Sequence, residues 1–144
     1  MSTYNKLWGT FNDTQVVDSD GYSSPVPGGV VNVRTGTVVY TQDAVTAYLF
    51  TLPQGAEIVW WQINVVTAFD GSGSDLLDIG DGTTANRFAN DISLATAGQI
   101  VTGFDDDEYN VELPIETKIF ATYTDENSDA TAGEAQISVG FIIR

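Results

Sequence analysis

The chain has no cysteine and no histidine in 144 residues. The first absence excludes disulfides, thiolate catalysis and thiolate zinc sites. The second removes the commonest general base and the commonest transition-metal ligand. Basic residues are scarce too: 5 Lys and Arg stand against 20 Asp and Glu, a formal charge of -15. Such a chain repels phosphate backbones and anionic lipid, so neither nucleic acid nor a membrane is expected as a partner. No run approaches the roughly 18 apolar residues of a membrane helix. The N-terminal stretch MSTYNKLWGTFNDTQ lacks the apolar core of a secretory signal. These features read as a protein made and kept in a cytoplasm, or assembled there into something larger. No cofactor is called for, and a hard, oxygen-liganded cation such as calcium is the metal chemistry left open.

What is present is a β-rich pattern. Hydrophobic residues make up 42% of the chain and aromatics 11%, which describes a single globular domain with a proper core. The pattern centres on residues 52–81, LPQGAEIVWWQINVVTAFDGSGSDLLDIGD. From Val59 the odd positions Val59, Trp61, Ile63, Val65 and Phe69 are mostly apolar, while Trp60, Gln62, Asn64, Val66 and Ala68 are mixed. That period of two predicts a strand over 57–69 with its odd face on the core.

Residues 1–28 differ from the rest. Tyr4, Leu7, Trp8, Phe11 and Tyr22 are spaced among polar residues, and the segment closes on SSPVPGG. Its prolines and glycines resist helix and central strand, which predicts an extended N-terminal arm over 1–28 and a folded domain over 29–144. The arm's aromatics have two destinations, the chain's own body or a neighbouring subunit. Further on, VVNVR and TVVYT flank Thr35-Gly36 and suggest a hairpin. A run over 44–52 follows. A short strand over 76–79 ends in Gly80-Asp81-Gly82, a turn expected to need positive φ. A helical turn near 91–97, closed by Gly98, is expected next. Alternating strands over 111–123 and 135–143 finish the chain, the first placed at an edge or bulged by Pro114. About eight strands with turns at this spacing predict an all-β, two-sheet antiparallel sandwich. A jelly-roll topology is preferred, with an immunoglobulin-like sandwich second.

Chemistry-bearing patterns are sparse. Asp70, Ser72 and Ser74 take places one, three and five of a calcium loop and Asp81 the twelfth. Asp75 stands where that loop needs glycine, and a strand follows, so Asp70, Asp75 and Asp81 are weak metal candidates in a stretch that reads as a turn. The runs Asp105–Glu108 and Asp125–Asp129 read as solvated acidic loops. No acid stands alone in an apolar segment, Glu112 and Glu116 fall on a solvated face, and no nucleophile–base pair is recognisable. The chain is therefore not expected to be an enzyme. Trp60 and Trp61 are adjacent and point to opposite faces of their strand. Trp61 joins the core. Trp60, beside Gln62 and Asn64, is suited to stack on a sugar, to fill a subunit interface, or to be covered by the arm. Phe120 and Ile142 also leave their strands on otherwise polar faces.

Residues 52–98 resemble a segment of small structural proteins of tailed bacteriophages. The likeness rests on the Leu-Pro-Gln-Gly-Ala turn (52–56), Thr67-Ala68-Phe69, the Gly/Ser/Asp loop (70–75) and Ile79-Gly80-Asp81-Gly82. Arg87-Phe88 and Thr96-Ala97-Gly98 complete it. It implies a virion protein on a jelly-roll-like sandwich, and for a short single-domain chain a head decoration (cement) protein. Its partners would be itself, as a homotrimer, and the major capsid protein, on the phage head surface, after assembly in the host cytoplasm. Tyr4, Leu7, Trp8 and Phe11 would anchor the arm and Trp60 an interface. A tail or fibre component, or a carbohydrate-binding module with calcium between Asp70 and Asp81, are the alternatives.

Overall fold

The computed structural model describes residues 27–144. Tyr4, Leu7, Trp8, Phe11 and nearly all of the expected arm lie outside them. Eight strands carry the described fold: β1 (Asn32–Val39), β2 (Thr46–Leu52), β3 (Glu57–Thr67), β4 (Asp75–Gly80), β5 (Ala89–Ser93), β6 (Gly98–Ile100), β7 (Thr117–Asp125) and β8 (Glu134–Ile142). Two short 3-10 turns, Tyr40–Gln42 and Asp106–Glu108, complete the regular structure.

The strands form two four-stranded sheets, β1-β8-β3-β6 and β2-β7-β4-β5. Every pairing is antiparallel. Strand β1 pairs with β8, β2 with β7, β3 with β6 and β4 with β5. The chain is thus one long hairpin rolled up until its two arms alternate between sheets, which is the jelly-roll arrangement expected from the sequence. The rolling places the chain turns at two poles. One pole, named here for Asp70, gathers residues 40–45, 68–74, 94–97 and 126–133. The other, named for Arg144, gathers residues 27–31, 53–56, 81–88, 101–116 and 143–144.

Alternation explains the core. Ile63 and Val65 of β3 are buried, as are Leu77 and Ile79 of β4. Ile119, Ala121 and Tyr123 of β7 join them, with Ala135, Ile137, Val139 and Phe141 of β8. Trp61 is the hub. Its ring lies 5.4 Å from Phe88, 5.9 Å from Phe104 and 6.4 Å from Phe50, spanning both sheets and two loops.

Several sequence expectations are corrected here. The Thr35-Gly36 hairpin is absent, because β1 runs straight through both residues. Gly36 is there for space: a Cβ would sit 2.9 Å from Leu49 Cβ, where the two sheets approach. Val59 is not a core residue. A bulge between Ile58 and Trp60 turns Ile58 inward and leaves Val59 partly exposed. Gly80 and Gly82 do not take positive φ. Gly80 is needed because the Thr84 carbonyl occupies the room a Cβ would take. Residues 91–97 are not helical: β5 ends at Ser93, and Leu94 donates its N–H to the Asp75 carbonyl at 2.9 Å. Nor does a strand run over 111–116. Val111 and Ile115 are exposed, and Leu113 is held by backbone bonds to Ala56 and Gly55. Pro114 precedes β7, so β7 is free to be an interior strand between β2 and β4.

Replacing Trp61 with alanine removes the ring shared by Phe50, Phe88 and Phe104. The expected cost is about 3–5 kcal/mol, read as a lower urea midpoint with an unchanged slope. A loss under about 1 kcal/mol would show that the hub is not central.

Candidate functional site

Two features stand apart from ordinary sandwich construction: the acidic loops of the Asp70 pole and the outer face of the β1-β8-β3-β6 sheet. The first contains Asp43, Asp70, Asp75, Asp125, Glu126, Asp129 and Glu134, with no basic residue among the described ones. The described bases, Arg34, Arg87, Lys118 and Arg144, all lie nearer the opposite pole. That pole is itself acidic, with Glu57, Asp81, Asp105, Asp106, Asp107, Glu108, Glu112 and Glu116.

At the Asp70 pole the carboxylates act as acceptors for the neighbouring loop. Asp70 Oδ1 accepts the N–H groups of Thr131 at 2.7 Å and Ala132 at 2.9 Å, and its Oδ2 accepts the Thr131 hydroxyl at 2.6 Å. Asp129 accepts the Ser72 N–H at 2.9 Å, and Glu126 accepts both the N–H and hydroxyl of Ser74. Asp43 accepts the Asp125 N–H and the Ser128 hydroxyl, each at 2.8 Å. Bonds to the charged form favour it, so these carboxyls are held below their ordinary values. The leading cause is the Thr131 hydroxyl for Asp70 and the Asp125 N–H for Asp43. For Glu126 it is the Ser74 N–H, and for Asp129 the Ser72 side chain.

Beneath the loops lies a buried polar pair. The Tyr123 hydroxyl donates to Asp75 Oδ1 at 2.6 Å, and Asp75 Oδ2 is buried without a hydrogen-bond partner. Burial, then the bond to Asp75, pushes the Tyr123 hydroxyl up, which keeps it a donor. A Cβ at Gly71 would lie 2.6 Å from both Asp75 Oδ1 and Asp125 Oδ1, so the 70–74 loop closes over two buried carboxylates. Asp75 is 1% exposed and Asp125 4%. The expectation that no acid would be buried among apolar residues is therefore corrected. Strand parity carried the signal: 75, 77, 79 and 119, 121, 123, 125 are inward positions. Arg34 is buried by the same rule and donates to the Thr51 carbonyl at 2.8 Å.

The three weak metal candidates are not brought together. Asp70 and Asp75 sit at the Asp70 pole. Asp81 lies beyond the far end of β4, some 20 Å along the strand at about 3.3 Å per residue. There it accepts the N–H groups of Thr83 and Thr84 and pairs with Arg87 Nη1 at 3.1 Å. Among the described residues no three Asp or Glu side chains converge as a metal-binding group. The acidic run at 105–108 is a capped 3-10 turn whose Glu108 takes the Nε of Arg87 at 2.8 Å. A pocket of about 230 Å³ beside it, between Arg87, Lys118 and Ile115, is smaller than an ordinary small-molecule site.

The second feature contains Trp60. It points outward from β3 and lies over Gly140 of β8, where its indole fills the place of a Cβ. Phe120 is partly buried on the other sheet, edge-on to Tyr48 at 5.8 Å, and Ile142 is buried.

No protein-family model and no curated protein matches the chain. Its fold is similar to that of a chain in the capsid asymmetric unit of cyanophage Pam1. The TM-score is 0.63 at 19% identity, over 96% of this chain and 100% of that one. It is also similar to a chain in the acidic stable capsid structure of Helicobacter pylori bacteriophage KHP30. There the TM-score is 0.59 at 16% identity, over 79% of this chain and 88% of that one. At these identities the likeness is one of fold.

Two outcomes follow from the acidic pole. Tyr123→Phe keeps the ring and leaves both Asp75 oxygens buried without a donor. The expected loss is about 1–3 kcal/mol in urea unfolding, and no loss would mean the pair is not structural. The Asp70 carboxyl takes up its proton at lower pH when folded than when unfolded. Its contribution to stability is therefore present above the ordinary value of 3.8 and is lost as pH falls below it. Thermal unfolding midpoints should drop as pH falls from about 4 towards about 2, and Asp70→Asn should flatten that drop. An identical pH profile for the two proteins would remove Asp70 as a contributor.

Proposed function

We propose that the chain is a bacteriophage virion structural protein, a decoration (cement) protein of the head that works by inter-subunit contact and carries out no catalysis. The observation that supports it is the extent of the likeness to the Pam1 capsid chain. It takes in 96% of this chain and 100% of that one. The motifs of residues 52–98 point the same way.

In this reading the protein associates with itself, as a homotrimer, and with the major capsid protein on the outer head surface. Residues 1–28 are the arm that reaches a neighbour, with Tyr4, Leu7, Trp8 and Phe11 as its anchors. The described residues at its end are consistent with this: Gly28 and Gly29 both donate to the Ile143 carbonyl, at 2.8 and 3.0 Å, at the Arg144 pole. Affinity would come from repetition. Modest contacts, repeated on a symmetric lattice, multiply through effective concentration.

Light scattering on the purified chain, and on a form lacking residues 1–28, tests the assembly. The expected result is a trimer that weakens or dissociates on truncation, and co-sedimentation of the full chain with purified phage heads. A monomer in both forms that fails to sediment with heads would remove the proposal.

A further inference from the structure

The outer face of the β1-β8-β3-β6 sheet is built in ranks. Register aligns Val33, Gly140 and Trp60 in one rank. Thr35, Ser138 and Gln62 form the next, and Thr37, Gln136, Asn64 and Gln99 the third. None of these ten residues is charged, in a chain of formal charge -15. The nearest acids in the register are Glu134, one rank further towards the Asp70 pole, and Glu57 opposite Ile142, one rank further towards the Arg144 pole. The outer face of the other sheet differs, since Asp78, Asp91 and Lys118 all lie on it.

The chemistry of the face selects a class of ligand. An anion finds no base here and meets the acidic poles on either side. A cation finds no acid. What the face offers is hydroxyls and amides, which donate and accept equally well, beside one indole and the exposed Val33. Thr35 and Ser138 hydroxyls lie 2.9 Å apart, already a two-strand rank of polar groups. Gly140 has a defined part in this: a side chain there would displace the Trp60 ring that rests on it. The ranks cover about 10 Å across three strands, about 14 Å where β6 joins, and about 13 Å along the strands. Those dimensions suit a short run of sugar rings. A pyranose has apolar C–H faces that stack on an aromatic ring and an equatorial rim of neutral hydroxyls.

We infer that this face binds a neutral polysaccharide, with Trp60 as the stacking platform and Gln62, Asn64, Gln136 and Ser138 as the groups that bond its hydroxyls. The inference goes beyond the structural role above and does not require it. The other occupants such a face could take are a second copy of the chain and residues 1–26.

Native affinity electrophoresis of the full chain tests it. The gels hold dextran, hydroxyethyl cellulose or galactomannan as neutral probes, and alginate as an anionic one. Retardation is expected in at least one neutral gel and not in alginate. Trp60→Ala should weaken it at least about tenfold, the loss of roughly 1.4 kcal/mol or more. Gln62→Ala should weaken it less, and Tyr48→Ala, on the opposite sheet, not at all. Urea midpoints for each variant separate lost binding from lost folding. Three results would each overturn the inference: no retardation in any neutral gel, equal retardation in alginate, or retardation indifferent to both Trp60→Ala and Gln62→Ala. So would a fall in solution mass on Trp60→Ala without any polysaccharide effect, which would assign the face to a second copy.

Discussion

Trp61 is the contact on which the two-sheet arrangement depends. It comes from the longest strand, in the sheet that also holds β1, β8 and β6, yet its ring is nearly parallel to that of Phe104, at 8°, and stacks on Phe50 of the opposite sheet. Phe88 and Phe104 come from the connections at the Arg144 pole. Phe88 donates its N–H to the Ile79 carbonyl and Asp105 donates to the Phe88 carbonyl, so the backbone brings both rings to the same place. A single indole therefore ties together two layers and two loops, of which the only regular structure is one 3-10 turn at Asp106–Glu108. It also explains why the least periodic stretch of the sequence folds: it has an aromatic surface to pack on.

At the other pole the organising element is hydrogen bonding. Loops of Gly, Ser and Asp have many backbone N–H groups that need acceptors and few apolar side chains to bury. Here the carboxylates serve as the missing acceptors. Seven acids without a base would repel one another if free. Spread over Thr131, Ala132, Ser72, Ser74, Asp125 and Ser128, most of them instead answer donors of the facing loop. High acid content in this protein is thus in part a way of holding turns, and not solely a surface property.

Much of the fold was legible. Alternation identified β3, β7 and β8, and the number and spacing of strands pointed to the sandwich, with a jelly roll preferred but its strand order not readable from the pattern. The misreadings share one cause, which is that local signals describe what a residue permits and not what its surroundings require. Gly36 permits a turn, but its neighbour across the sheets, Leu49, requires a residue without a side chain. The bulge at Ile58 shifts parity by one and cannot be seen in a hydropathy pattern. The site was less legible. Trp60 was placed on the outer face by simple alternation, but its seat on Gly140 and the ranks beside it depend on register between distant strands. Asp75 and Asp125 were readable from parity, yet their pairing across Gly71 was not, because it joins loops more than 50 residues apart.

The distribution of charge has a consequence for how copies of this protein meet. Both poles are negative, while the three central ranks on the outer face of the β1-β8-β3-β6 sheet are uncharged. Two such bodies approaching tip to tip feel repulsion over a screening length of about 8–10 Å in physiological salt. Approaching flank to flank, they bring uncharged ranks together and feel less. The molecule behaves as a patchy colloid whose easy direction is sideways, so added salt should relax its end-to-end exclusion well before it alters contact between flanks.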